Sequence, residues 1–398
     1  MSSPDTLPVA ENPSVRLGYL PLSDSAPVIV ARELGLYERY GLDVQLQRDV
    51  SWANVRDKLA TGDLQAAQML APLPLTTTLG LGGLRAPLLT GLTLSLNGNA
   101  ITVSSALDNE LRARGADPVR SAASSALALR TYLDERKKGD GLTFAAAHTF
   151  SCHSFQLRRW LRAGGVDPDN DVRIIVLPPQ QMVDSLSRGM IDGYCVGEPW
   201  NSVAVQLGIG AVQATGYQVW NNAPEKVLGV AASWHEKNPA THLRLRLALM
   251  EASRWLADED NREAVVAMLE APQYLNMPAS RLSPSLTGDF CFRKGEETVS
   301  LPDFHVFGRY LAGFPWRSSA RRLLTHTGAQ IGREFTEEQG RALIQQCFRT
   351  DLYREAARWL GQAVPDSDYK QDDMHDEVWS LAPGIDLGPD RLLAPDQG

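Results

Sequence analysis

Residues 14–63 read SVRLGYLPLSDSAPVIVARELGLYERYGLDVQLQRDVSWANVRDKLATGD, and their pattern decides the fold class. Val15, Leu17 and Tyr19 alternate with Arg16 and Gly18, the period of a strand, and Pro21 ends it. Residues 26–40 carry a helical pattern closed by Gly41. Val44 and Leu46 alternate with Gln45 and Gln47 as a second strand. Ser51 or Asn54 can cap a helix that runs through Val55 and Leu59 to Gly62. Strand, helix, strand, helix is the order of a mostly parallel α/β sheet.

Upstream, the polar, Pro-containing residues 1–13 read as a disordered lead. Downstream, 97–103 looks like a strand leaving the first unit, followed by a Ser/Ala-rich stretch and the basic cluster Arg136, Lys137 and Lys138. Thr143 to Ala147 reads as a strand ending at His148. Phe155, Leu157, Trp160 and Leu161 belong to a helix ended by Gly164-Gly165. Arg173 to Leu177 is a strand stopped by Pro178-Pro179, and Met182, Leu186 and Met190 share a helix face. Ile191 to Val196 is a strand that runs into Gly197-Glu198-Pro199-Trp200. From about residue 205 the pattern turns helical, with a helix after Asn238-Pro239 and a capping box at Thr336 and Gln339. A strand that leaves one α/β unit, builds a second and returns implies two lobes joined by two crossing segments. The expected boundaries are 14–98 plus 205–362 for lobe I, 99–204 for lobe II and 363–398 for a loose tail. A cleft between such lobes is a natural ligand site.

A length of 398 residues accommodates two or three domains. The net charge of -8 argues against a nucleic-acid-binding surface over the whole molecule. It does not argue against a small anion, because a buried site answers to its local field. No basic residue precedes Arg16, the N-terminal segment holds no apolar run, and no stretch of about 20 apolar residues could span a membrane. The expectation is a cytoplasmic protein without a membrane partner. Cys152, Cys195, Cys291 and Cys347 are widely spaced, which predicts four thiols and neither a zinc site nor another metal cofactor. Cys152 lies near His148 and His153, a pair able to act as nucleophile and base. No orienting acid stands at a required spacing and there is no Gly-rich phosphate loop, so an enzyme is not expected.

Several strings, taken in order, resemble the nitrate- and bicarbonate-binding proteins of ABC transporters. They are Leu17-Gly18-Tyr19-Leu20-Pro21, Ser51-Trp52-Ala53-Asn54-Val55-Arg56-Asp57, Asn97-Gly98-Asn99-Ala100-Ile101, Ala146-Ala147-His148-Thr149-Phe150, Gly164-Gly165-Val166-Asp167-Pro168-Asp169, Gly197-Glu198-Pro199-Trp200 and Pro224-Glu225-Lys226. The resemblance spans roughly residues 15–360 and implies an α/β, two-lobed, periplasmic-binding-protein-like fold of type II. Exported members of that family carry a leader, which is not seen here. In that respect the chain is similar to the cytoplasmic NasS-type nitrate/nitrite sensors. That likeness implies a sensor that holds a NasT-type RNA-binding antiterminator inactive until the anion binds. A transporter's binding component would share the fold and the ligand.

The resemblance also selects site residues. Nitrate is planar and acceptor-only, so its site needs donors, a compensating positive charge and walls that exclude water. Trp52 offers an indole N–H just before a helix N-terminus, where backbone N–H groups favour anions; spacing alone also fits a core tryptophan. Asn97 stands where the family usually has Gln, and the shorter side chain leaves open a direct contact, a bridging water or a turn role before Gly98. His148 ends a strand, where ligand sites of α/β folds collect. Lys226 supplies the charge, and in the family a Lys here accompanies nitrate while an acid accompanies bicarbonate. Glu225 reads as exposed, and Lys226→Glu as a change that cuts nitrate binding severely and spares the fold. Gly98, Pro178, Gly197, Glu198 and Pro199 are expected to line the cleft, and Gln68 is a weaker candidate.

Overall fold

The computed structural model describes residues 7–136 and 141–394. Ten strands carry the architecture: β1 (Ser14–Tyr19), β2 (Asp43–Arg48), β3 (Ala66–Leu70), β4 (Leu88–Asn97), β5 (Asn99–Ser104), β6 (Leu142–Ala146), β7 (Val172–Val176), β8 (Gly193–Gly197), β9 (Gly210–Thr215) and β10 (Pro224–Ala231). They form two sheets. In the first, five of six strands run in the order β4-β10-β3-β1-β2; in the second the order is β7-β6-β8-β5-β9. β1 pairs in parallel with β2 and β3, and β10 returns antiparallel between β3 and β4. β6 pairs in parallel with β7 and β8, while β5 lies antiparallel between β8 and β9.

Contacts divide the chain into two compact units. Among the described residues, one holds 7–96, 224–276 and 306–389; the other holds 97–136, 141–223, 277–305 and 390–394. In the first unit the helix Ala26–Glu33 packs on the helix Pro239–Leu256. In the second, the core is built on Phe144 and Trp160, which meet edge-on at 6.3 Å. The Trp160 indole donates to Ala122 O at 3.1 Å and Ser125 Oγ at 3.0 Å, so this buried polar group is satisfied.

The local signals near the N-terminus produce the elements they predict. Ser51, not Asn54, caps the helix Trp52–Thr61 by accepting from Asn54 N, and Gly62 ends it with φ 85°. Thr336 and Gln339 form the capping box.

Other segments differ from expectation. Residues 7–13 are not a free lead: Leu7 is buried, Arg244 donates to the carbonyls of Leu7 and Pro8, and the Glu11 carboxylate accepts from Ala240 N and Thr241 N. Those amides open a helix whose N-cap, Asn238, provides no side-chain bond, so Glu11 supplies the missing acceptor. β4 escaped the sequence reading; Leu92, Leu94 and Leu96 alternate in it with Thr93, Ser95 and Asn97, yet all ten of its residues are buried, as in a strand covered on both faces. Residues 210–223 belong with the second unit because β9 pairs with β5. The chain also returns to that unit at 277–305 and 390–394, which two crossing segments do not provide. The helix Met182–Ser187 stops short of Met190, which is exposed. Residues 363–394 are held rather than loose, and 395–398 of the expected tail lie outside the described residues: Asp368 pairs with Arg317 and Arg354, Trp379–Ala382 and Ile385–Leu387 form a hairpin, and Leu393 N donates to Val219 O. Lys137 and Lys138 lie outside the described residues.

Candidate functional site

Both units gather candidate residues at the carboxyl edge of their parallel strands, where open α/β sheets hold ligands. In the first unit Trp52 follows β2 and opens its helix. The ring is fully buried, and its indole nitrogen has no hydrogen-bond partner among the described residues. A buried, unpartnered donor costs the fold about 1–3 kcal/mol, so a ligand that accepts from it recovers that loss. Lys226 enters on β10, with Ser95 of β4 on one side and Leu70 of β3 on the other. Its ammonium lies 5.2 Å from the centre of the Trp52 ring, within cation–π range. The Ser95 hydroxyl, opposite Lys226, is buried without a partner among the described residues.

Lys226 is not the bare cation that the sequence suggests. Its Nζ stands 2.7 Å from Asp24 Oδ2 and 2.7 Å from Glu225 Oε1, and all three side chains are fully buried. Glu225 is therefore not exposed; β10 places it inside the sheet layer. Burial alone would push the Lys226 ammonium down, but Asp24 and Glu225 outweigh it and hold the group above the usual lysine range. The lysine is thus firmly protonated, with two carboxylates sharing its charge. Gln68, on the same face of β3, donates to Asp24 Oδ1 at 2.7 Å and accepts from Leu20 N at 3.4 Å. Its role here is to orient Asp24.

In the second unit the register brings the candidates together. Ala146 faces Val176 on one side and Cys195 on the other, and Asn99 faces Gly197. His148 and Pro178 lie two residues beyond Ala146 and Val176, Glu198 follows Gly197, and Glu198 N donates to Gly98 O at 3.1 Å. His148 Nδ1 accepts from Phe150 N at 3.0 Å, which leaves the ring proton on Nε2. Pro178 is half-buried after β7, and Pro199 precedes the helix Trp200–Leu207. Glu198 is fully buried. Its Oε2 accepts from Ser202 N at 3.2 Å, and its Oε1 has no partner among the described residues. Burial pushes this carboxyl up to about 7, against the opposing pull of Ser202 and Asn201.

Asn97 is committed elsewhere. Its amide donates to Asn222 Oδ1 at 3.2 Å and to Asp303 O at 2.8 Å, and its φ of 61° opens the turn between β4 and β5. Gly98 completes that turn at φ 89°, and a Cβ there would stand 2.2 Å from His305 Cε1. Asn97 is a turn residue rather than a donor at the site. Two polar groups escaped the sequence reading. Asn99 is fully buried and donates to Gln156 Oε1 at 3.0 Å, while the Gln156 amide nitrogen is buried with no partner among the described residues. Their one signal in the sequence is polarity inside otherwise apolar segments.

Cys152 is fully buried in the first turn of the helix Cys152–Ala163, and all four cysteines are thiols. The described residues contain no group of three or more His, Cys, Asp or Glu able to hold a metal ion. No described helix is long and apolar enough to cross a membrane.

Residues 9–270 match the NMT1-like family. Over 365 residues the chain is 34% identical to the nitrate/nitrite binding protein NrtA of Synechococcus elongatus, covering 89% of this chain and 80% of that protein. It is 39% identical over 353 residues to the bicarbonate transport ATP-binding protein CmpC of the same species, covering 88% of this chain and 50% of CmpC. The chain thus spans about half the length of the transport ATP-binding proteins it matches. The crystal structure of the periplasmic nitrate-binding protein NrtA from Synechocystis PCC 6803 superposes with a TM-score of 0.83 at 28% identity, covering 96% of this chain and 97% of that one. The fold is that of a two-lobed periplasmic binding protein. The chain belongs to the NMT1-like family, and its homologues include the NrtA nitrate-binding proteins.

Proposed function

We propose that the chain binds nitrate or nitrite, with the Trp52 indole N–H as a principal donor. The observation that carries this reading is the buried, unpartnered indole at the start of a ten-residue helix, beside the protonated Lys226. An acceptor-only anion accepts there from the indole and from the first backbone amides of the helix. Because Asp24 and Glu225 share the Lys226 charge, the lysine's net pull is modest and donor geometry provides the selectivity. The NrtA homology supports the choice of anion. The likeness to CmpC favours bicarbonate as a second reading. Calorimetric titration with nitrate, nitrite and bicarbonate in matched buffers separates them: heat from nitrate or nitrite and silence from bicarbonate is expected, and heat from bicarbonate alone overturns the assignment.

The finer role is a cytoplasmic nitrate/nitrite sensor that sequesters a NasT-type RNA-binding antiterminator until the anion arrives. The acidic net charge supports leaving RNA contact to a partner. The rival is the binding component of a nitrate ABC transporter, favoured by the names of the homologues. Capture of the antiterminator by the purified chain, and its release by nitrate, tests the sensor role. No capture with or without nitrate rejects it and leaves the transport role.

A further inference from the structure

A cavity of about 430 Å³ lies within the first unit and shares no residue with the Trp52 cluster. That volume suits a small organic molecule. β4 gives it Leu92, the helix Pro239–Leu256 gives Met250, Ser253 and Arg254, and the helix Thr350–Trp359 gives Tyr353. Met250, Ser253 and Arg254 are three and four residues apart, so one face of their helix meets the cavity. The turn at 307–313 and the hairpin at 384–386 complete the wall. In that turn Tyr310 and Leu311 hold φ of 57° and 52°. Two consecutive non-glycine residues in the left-handed region are strained, and such strain collects at ligand clamps.

The polar groups of this cavity do not satisfy one another. Ser253 is 5% exposed, and its hydroxyl is buried with no partner among the described residues. Buried polar groups are normally paired, so an orphan in a cavity wall is a group for a ligand to satisfy. The Tyr353 hydroxyl makes no hydrogen bond among the described residues either. Burial raises this phenol above its usual range against the pull of Arg254, so it stays an O–H donor. Arg254 and Asp386 are exposed, and neither forms an ion pair among the described residues, with the other or elsewhere. Arg309 is stacked on the Tyr310 ring. Leu92, Met250 and Phe307 are buried and apolar. A purely apolar molecule would leave both charges and both hydroxyls unanswered. A simple carboxylate would answer Arg254 and set a like charge in the same cavity as Asp386. A zwitterion with an apolar body answers every group.

We propose that this cavity binds a free α-amino acid with an apolar side chain. The carboxylate takes Arg254 and the Ser253 and Tyr353 hydroxyls, the ammonium takes Asp386, and the side chain lies on Leu92, Met250 and Phe307. The site is additional to the proposed anion site and does not rest on it.

The test is calorimetric titration of the intact protein with L-phenylalanine and with two analogues that each lack one charge, 3-phenylpropionate and phenethylamine. Phenylalanine is expected to bind at least ~10-fold tighter than either, the scale of one charge-assisted contact. Asp386→Asn should weaken phenylalanine at least ~10-fold and bring 3-phenylpropionate level with it. Arg254→Gln should weaken it as much and bring phenethylamine level. Both side chains are exposed, so the melting temperature and the nitrate titration should not change. Ser253→Ala removes an unsatisfied buried group, so phenylalanine affinity should fall while the melting temperature does not. A folded wild type that takes up no phenylalanine overturns the proposal. So does 3-phenylpropionate that binds the wild type as tightly, which makes this a plain carboxylate site. Phenylalanine binding that survives both charge variants overturns it too, because the ligand then sits elsewhere.

Discussion

Lys226 shows how burial changes the meaning of a residue. Sequence makes it a free positive charge; the structure ties it to Asp24 and Glu225 in a fully buried triad. Removing one member of such a group leaves uncompensated charge and costs about 3–5 kcal/mol. Lys226→Met is therefore expected to lose stability on that scale by urea denaturation as well as nitrate affinity. Lys226→Glu, which adds a third buried carboxyl, should not leave the fold intact, contrary to the reading from sequence. A stability equal to wild type in Lys226→Met would dissolve the triad. Glu198 gives a second test at this scale. Its folded carboxyl titrates near 7, above the usual 4.5. The folded state therefore binds the proton more tightly, and the stability this contributes is fully present below about pH 4.5 and lost as pH rises through about 7. Glu198→Gln keeps the shape without the titration. Relative to that variant, the wild type should lose stability on the order of 3 kcal/mol between pH 4.5 and 8. Parallel stability–pH curves would contradict this. Trp52, His148 and Lys226 were named on the strength of a family resemblance, since spacing alone also fits a core tryptophan, a structural histidine and a surface lysine. Asp24, Ser95 and Gln156 were not, since only long-range packing separates them from ordinary buried polar residues.

At the scale of elements, alternation and capping located β1, β2 and the Trp52–Thr61 helix, because a half-buried strand and a capped helix both mark themselves locally. β4 was passed over although Leu92, Leu94 and Leu96 alternate with Thr93, Ser95 and Asn97; both faces are covered, so its polar face does not mark solvent. The lead at 7–13 was misread because composition does not reveal docking. Glu11 caps the helix Pro239–Leu256 from more than 200 residues away. The desolvation that would raise its carboxyl is outweighed by the bonds from Ala240 and Thr241, which hold it below the usual range. Glu11→Ala should cost about 1 kcal/mol, the scale of a lost cap, read as a shift in the urea midpoint without a change in slope. No shift would mean that the helix end is satisfied without Glu11.

For the whole molecule, the net charge of -8 and the proposed binding of an anion are compatible because a buried site answers to local donors. In the sensor reading, anion and partner are linked by reciprocal coupling. The factor by which saturating nitrate weakens the partner complex should equal the factor by which the partner weakens nitrate binding. Two calorimetric titrations check this, and partner affinity that ignores nitrate rules out the switch.

The central claim is that the Trp52 indole N–H meets the anion. It is tested most directly by titrating nitrate into the wild type and Trp52→Phe under identical conditions. Phenylalanine keeps an aromatic wall and removes an unpartnered buried donor, so stability should stay within about 1 kcal/mol. A lost hydrogen bond to a charged ligand is worth about 1.5–3 kcal/mol, so affinity should fall roughly 10- to 100-fold. A folded Trp52→Phe variant that binds nitrate as tightly as the wild type would contradict the account.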